Sequence, residues 1–166
     1  MRKLMIGSLI ALMAIGLAAC SGSGDDPAAV EAQRKADMYD IDTIEKRFHQ
    51  ATTNQDIEQM MTLWAPSATL TVGLGETATG LDEIRSFWED TSETFKEENY
   101  WVSDHPAYKV EITVNGDRGT LHFECHYIDA NTEEIAAVTV ADLDVARVDG
   151  AWLITNFVAG TTELEP

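Results

Sequence analysis

The sequence predicts an α+β domain: helices and one early strand first, then an antiparallel meander. From Met38 to Phe95 apolar residues recur mostly at three- and four-residue spacing, the period of a helix face. After about residue 100 the period becomes two, that of a strand with one buried side. Asn115-Gly116 and Asp149-Gly150 punctuate that second half as tight-turn signals. Helices segregated from strands along the chain argue an α+β layout rather than alternating βαβ units.

Each element has its own signal. Met38, Ile41, Ile44, Phe48 and Ala51 form the apolar face of a first helix. Asn54 could cap a second helix with Ile57, Met60, Met61 and Trp64 as its apolar side, stopped by Pro66. Leu70, Val72 and Leu74 alternate with Thr69, Thr71 and Gly73 as a short strand, and Gly75 to Gly80 reads as a loop. Leu81, Ile84, Phe87, Trp88 and Phe95 fit a third helix. Strands are expected near 107–114, 118–129, 135–148 and 151–159. One domain over residues 37–162 follows, long enough for a single core.

The chain begins with a different kind of signal. Arg2 and Lys3 precede an unbroken apolar and small-residue run, Leu4 to Ala19, ending Leu17-Ala18-Ala19-Cys20. The run is shorter than the roughly 20 residues a membrane span needs. Its charged start, apolar middle and small-residue end are those of an export signal. The last four residues resemble the lipobox of bacterial lipoproteins. That resemblance implies a signal peptide over 1–19, cleavage before Cys20 and lipid attachment to Cys20. The protein would then be exported and held by its lipid on the cell membrane or outer membrane. Residues 20–36 begin with the lipidated cysteine, run through Ser-Gly-Ser-Gly-Asp-Asp-Pro and read as a flexible tether.

Charge excludes some partners. The chain carries 29 Asp+Glu against 11 Lys+Arg, and two of the latter lie in the signal. Such an excess repels nucleic acid and anionic lipid and favours solubility. With Cys20 lipidated, Cys125 has no intrachain partner, so a disulfide framework is excluded. Cys125 sits in an apolar-rich segment and reads as a buried, inert thiol.

The succession of motifs is informative. Ile41-x-x-Ile44-x-x-x-Phe48-x-x-Ala51 precedes Asp56-Ile57 and Leu63-Trp64-Ala65-Pro66-x-Ala68. Gly80-Leu81-Asp82-Glu83-Ile84-Arg85-x-Phe87-Trp88 follows. Asn115-Gly116-Asp117-Arg118-Gly119 opens a strand, and Val148-Asp149-Gly150-Ala151-Trp152-Leu153-Ile154 comes near the end. Over residues 38–160 this resembles the NTF2-like superfamily, specifically its SnoaL-like branch. The resemblance implies a cone, with a curved antiparallel sheet wrapped around three N-terminal helices and a small-molecule pocket within. The superfamily holds isomerases, dehydratases, cyclases, transport factors and binding domains, so the fold does not name the activity.

Ketosteroid isomerase chemistry needs a carboxylate base and an oxyanion site built from a tyrosine and a protonated aspartic acid. Aligned on that family, Phe48 stands at the tyrosine, Val72 at the base and Asp144 at the buried aspartate. Phenylalanine donates no hydrogen bond and valine takes no proton, so that chemistry is rejected. Phe48 and Val72 remain as pocket-lining residues, with Glu124 and Asp142. The SnoaL-like branch often has a histidine on its last strand, where this chain has Asn156 and Val158.

Two strands carry the remaining polar groups. Asp142 and Asp144 share a face with Val138, Val140, Ala146 and Val148. Two carboxylates on a dry face would repel, and one could rise in pKa towards general acid or base work. His122, Glu124 and His126 alternate with Leu121, Phe123, Cys125 and Tyr127. Alternation sends the apolar set inward and His-Glu-His to water. The family alignment sends Thr120, His122, Glu124 and His126 into the pocket instead, leaving the apolar set on the convex face to support a homodimer. Under that alignment Asp144 with His122 or His126 would be the catalytic group. No metal site is expected, because residues i and i+4 on a strand lie about 13 Å apart and no zinc-ligand cysteine pair is present. His49 is expected at the edge of the helix–sheet contact. The sequence therefore points to an envelope-anchored domain that binds a small, partly apolar molecule without a cofactor. A cofactor-free lyase or isomerase and a ligand-free dimeric module are the alternatives.

Overall fold

The computed structural model describes residues 26–73, 75–91, 107–128 and 134–163. The signal segment, Cys20, Leu74, Phe95, Tyr100, Trp101 and His105 lie outside them.

Helix α1 spans Pro27–Asn54. Asp26 caps it by accepting from the Ala28 N–H at 3.0 Å, and Pro27 occupies the first turn, where no N–H is needed. Gln55, in the left-handed region at φ 53°, ends it. Ile41, Ile44, Phe48 and Ala51 are buried as the spacing predicts, but so are Asp37 and Glu45. The tether expected over 20–36 is helical from Pro27 onward. Residues 27–36 are all exposed, so no apolar period marks that stretch of helix.

Helix α2 is one short turn, Ile57–Met61, capped by Asp56, which accepts from the Gln59 N–H at 2.9 Å. Asn54 closes α1 instead of capping α2. Strand β1 begins at Trp64 and runs to Val72, so Trp64 and Pro66 belong to a strand. Pro66 sits where the β1–β6 register shifts between Trp64 and Thr69, a place that loses nothing by lacking an N–H. The expected 75–80 loop contains strand β2, Glu76–Thr79, paired antiparallel to β1. Helix α3 covers Gly80–Thr91 and buries Ile84 and Trp88.

Strands β3 (Ala107–Asn115), β4 (Arg118–Ile128), β5 (Ile135–Val148) and β6 (Ala151–Glu163) follow as expected. Asn115 pairs with Arg118, so the first turn is Gly116-Asp117, with only Gly116 at positive φ (60°). That is the type II′ solution with glycine at the first central position. Asp149 and Gly150 are both at positive φ, 50° and 86°, as a type I′ turn requires.

The six strands form one sheet in the order β2-β1-β6-β5-β4-β3. It is not wholly antiparallel, because β1 lies parallel to β6. Its inner face carries Leu121, Phe123, Ala141, Leu143, Val145, Ile154 and Phe157, which join Ile41, Ile44, Phe48, Ile84 and Trp88 in one core. Gly119 lets α1 come close: a Cβ there would lie 2.6 Å from the Thr113 carbonyl oxygen and 3.0 Å from Ile41 Cδ1. One turn before Ile41 on α1, Asp37 is buried and ion-paired to Arg147 of β5. Gln33 Nε2 donates to the same Asp37 oxygen at 2.9 Å, and the Trp152 indole N–H approaches it at 3.4 Å. Arg147 also stacks 4.8 Å above the Trp152 ring and bonds Asp117 in the β3–β4 turn at 3.1 Å.

Candidate functional site

Strand β4 decides where the candidate residues point. Leu121, Phe123 and Cys125 keep 0%, 1% and 4% of their surface. The intervening Thr120, His122, Glu124 and His126 therefore face away from the helices. Alternation predicts this arrangement, and the family-alignment placement of His122, Glu124 and His126 on the helix side is corrected. A one-residue slip would expose all three buried side chains, about 1.5–3 kcal/mol each for the large ones. Of Leu121, Phe123 and Tyr127, the expected convex dimer patch, Leu121 and Phe123 are inside the molecule, and the Tyr127 side chain lies outside the described residues.

Cross-strand rows assemble on this outer face. Thr120 pairs with Asp144 and Asp144 with Asn156, while His122 pairs with Asp142 and Asp142 with Val158. The His122 Nδ1 to Asp142 Oδ1 distance is 2.7 Å. Asn156 Nδ2 donates to Asp144 Oδ2 at 3.4 Å, and Thr69 Oγ1 donates to Asn156 Oδ1 at 2.7 Å. Thr120, His122, Asp142, Asp144, Asn156 and Val158 line an open depression of about 280 Å³. Asp142 keeps 69% of its side chain open. The burial that would dry out this carboxylate pair is missing, although the two share a face with Val138 and Val140 as expected.

His126 and Glu124 lie outside the depression. Glu124 bonds Lys109 Nζ at 2.8 Å and His126 Nε2 at 3.1 Å. Lys109, then His126, hold its carboxyl below the usual carboxylate range. Phe48 and Val72 are on the helix side, so neither shares a wall with Asp144. Phe48 is the centre of a ring cluster, stacked on Phe157 at 5.3 Å, edge-on to Trp88 at 5.4 Å and 6.1 Å from Phe123. These rings lie between α1, α3 and the sheet, where a closed apolar cavity was expected. The indole N–H groups of Trp64 and Trp88 are buried without a hydrogen-bond partner among the described residues.

The inner face holds a second group of polar side chains. His49 Nδ1 lies 2.6 Å from Glu45 Oε1 and 3.0 Å from the Glu45 carbonyl oxygen. His49 Nε2 lies 2.8 Å from Cys125 Sγ. Burial alone would push the imidazole pKa down, but its hydrogen bonds to Cys125 and Glu45 outweigh that and raise it to about 10. Cys125 is buried and His49 is at the helix–sheet edge, both as expected. Their contact and the role of Glu45 were missed. The available signal was Glu45 and His49 at i,i+4 beside the apolar stripe of α1.

Among the described residues no group of three or more His, Cys, Asp and Glu side chains could hold a metal ion. No described helix is long and apolar enough to cross a membrane.

Comparison with known proteins agrees with this architecture. A family model described as a SnoaL-like domain matches residues 46–154. An NTF2-like protein with a cystatin-like fold from Novosphingobium aromaticivorans superposes with TM-score 0.66 at 18% identity, covering 82% of this chain and 90% of that one. A provisionally named dehydratase of the NTF2-like family from Streptomyces avermitilis gives TM-score 0.64 at 14% identity, covering 78% and 99%. A ketosteroid isomerase-like protein from Erwinia carotovora atroseptica gives 0.57 at 12%, covering 78% and 97%. At these identities the likeness establishes the fold alone. A search among curated proteins returns no match.

Proposed function

The chain belongs to the SnoaL-like domain family, and from that premise we propose that it binds a small, partly apolar molecule in the outer-face depression, displayed at the cell envelope by a lipid on Cys20. One observation supports the binding reading above the others: His122, Asp142, Asp144 and Asn156 converge around the exposed Val158 in a single depression. Acceptors dominate that rim, so the fitting ligand has hydroxyl or cationic groups on one side and an apolar edge against Val158. A volume near 280 Å³ is at the small end of ligand sites, roughly 300–1,000 Å³.

Native mass spectrometry of protein purified from its own host tests this reading. A retained small molecule is expected in the wild type. Its occupancy should fall about 10-fold or more in Asp144→Ala and in His122→Ala, as losing a hydrogen bond of ~1.5–3 kcal/mol to a charged group implies. Occupancy unchanged in both variants, or no retained molecule, would sink the proposal.

A second reading rests on the His122–Asp142 contact. A carboxylate on Nδ1 fixes the tautomer and leaves Nε2 as the proton-exchanging atom. With Asp144 in the same depression, these are the parts of a cofactor-free lyase or isomerase acting by proton transfer.

The envelope location rests on Leu17-Ala18-Ala19-Cys20 behind the Leu4–Ala19 run. Acyl chains bury about 0.8 kcal/mol per CH₂, and more than one chain gives a stable anchor. Cys20→Ser should move the protein into the soluble fraction or leave it uncleaved on an immunoblot of fractionated cells. A variant that is cleaved normally and still sediments with membranes would end the anchor proposal.

A further inference from the structure

We propose that Cys125, His49 and Glu45 form a thiol reaction site that takes a small peroxide. The site is separate from the outer depression and lies on the opposite face of the sheet. Its geometry is that of an assisted nucleophile: a sulfur, an imidazole within hydrogen-bond reach and a third group orienting that ring. Cys125 Sγ is 2.8 Å from His49 Nε2, and the other ring nitrogen is 2.6 Å from Glu45 Oε1. The imidazole is also clamped by rings, 5.2 Å from Phe123 and 5.9 Å from Phe48. A protein that needed only a small buried filler at position 125 would not require a buried carboxylate and a histidine in line behind it.

The elements explain why the three meet. Glu45 and His49 are one helical turn apart on α1, and Cys125 is an inward-facing residue of β4. The carboxylate holds Nδ1–H, which leaves Nε2 directed at the sulfur. His49 keeps 12% of its side chain open, while Cys125 keeps 4% of its surface. With both side chains this enclosed a bulky electrophile is excluded, and the proposed substrate class is hydrogen peroxide or a small alkyl hydroperoxide.

The step balances without a cofactor. With its pKa raised, His49 is already protonated and its Nε2–H faces the sulfur. The thiol proton leaves to solvent, and the sulfur attacks one peroxide oxygen, forming S–O as the O–O bond breaks. The departing hydroxide takes the Nε2 proton of His49 and leaves as water, Cys125 becomes a sulfenic acid, and His49 regains its proton from solvent. Glu45 is a positioning residue throughout. Return to the thiol requires an external thiol reductant.

The experiment uses the full chain, hydrogen peroxide and a dimedone trap, with peptide mapping to separate Cys125 from Cys20. Folded wild-type protein should form the Cys125 adduct at least 10-fold faster than the same protein unfolded in urea, because unfolding keeps the thiol and removes His49. His49→Gln should slow the folded rate at least 10-fold at unchanged circular dichroism. Glu45→Gln should slow it less and shift its pH profile, which a merely structural carboxylate would not do. A folded rate equal to or below the unfolded rate overturns the proposal without recourse to any variant. So does a folded His49→Gln protein that reacts at the wild-type rate.

Discussion

Arg147→Met should destabilise the protein by about 3 kcal/mol at pH 7, the low end of the range for removing one partner of a buried ion pair. Asp37 is 4% exposed, and the substitution leaves its carboxylate with Gln33 Nε2 at 2.9 Å and the Trp152 indole at 3.4 Å. It also removes the guanidinium from the Trp152 ring and from Asp117, so one residue uncouples α1, the β3–β4 turn and the β5–β6 hairpin. The pH dependence identifies the cause. Burial pushes the Asp37 carboxyl up, but hydrogen bonds from Arg147, Gln33 and Trp152 and the Arg147 charge hold it below its ordinary 3.8. A carboxyl lowered in the folded state adds stability that is present above the unfolded value and lost as pH falls through the folded one. The deficit of Arg147→Met should therefore be largest near neutrality and shrink below about pH 4 as Asp37 protonates in both proteins. Urea midpoints at an unchanged m-value report it. Asp37→Asn added to Arg147→Met should recover part of the loss, since the unpaired charge is gone. A midpoint equal to wild type at pH 7 would show that the pair is not structural.

Phe48→Ala should cost about 3–5 kcal/mol, the usual range for truncating a buried phenylalanine. Phe48 is the hub that joins α1 to both α3, through Trp88, and the sheet, through Phe123 and Phe157. Edge and stacked ring pairs add about 0.5–1.5 kcal/mol each beyond buried area, so Phe48→Leu, which keeps most of the volume, should still lose about 1 kcal/mol. Urea unfolding followed by tryptophan fluorescence measures both variants. A loss below about 1 kcal/mol for Phe48→Ala would mean that the ring cluster relaxes around the gap, and that its space is pocket rather than core.

How much of this was legible beforehand follows from range. The apolar face of α1, the body of α3, four long strands and two turns were readable because each depends on residues within a turn or a pleat of one another. Residues 27–36 gave no signal because every one of them is exposed, so no apolar stripe is needed there. Trp64 and Pro66 were misread because a strand beginning immediately after a five-residue helix continues the helical spacing for one more position. Strand β2 was missed because it buries only Ala78, too little to create a period.

The candidate site divides in the same way. Asp142 was named from the strand face it shares with Asp144 and His122 from the family alignment, and their contact follows from the β4–β5 register. Glu45 was passed over because the pattern of α1 marks apolar positions, and a buried acid breaks that pattern.

By itself the sequence determined the class of fold, the alternation of Leu121, Phe123 and Cys125 with His122, Glu124 and His126, the acidity and the expectation of a lipidated Cys20; which of the two sets faces inward was left to the structure. Those properties come from composition and from periods of 3.6 and 2, which the chain carries locally. Only the tertiary structure decided that β1 runs parallel to β6, that Arg147 meets Asp37 across 110 residues, and that His49 reaches Cys125 across 76. Such contacts depend on how the sheet curves and how closely α1 settles over Gly119. Both are fixed by packing summed over the whole core, and no local pattern records that sum.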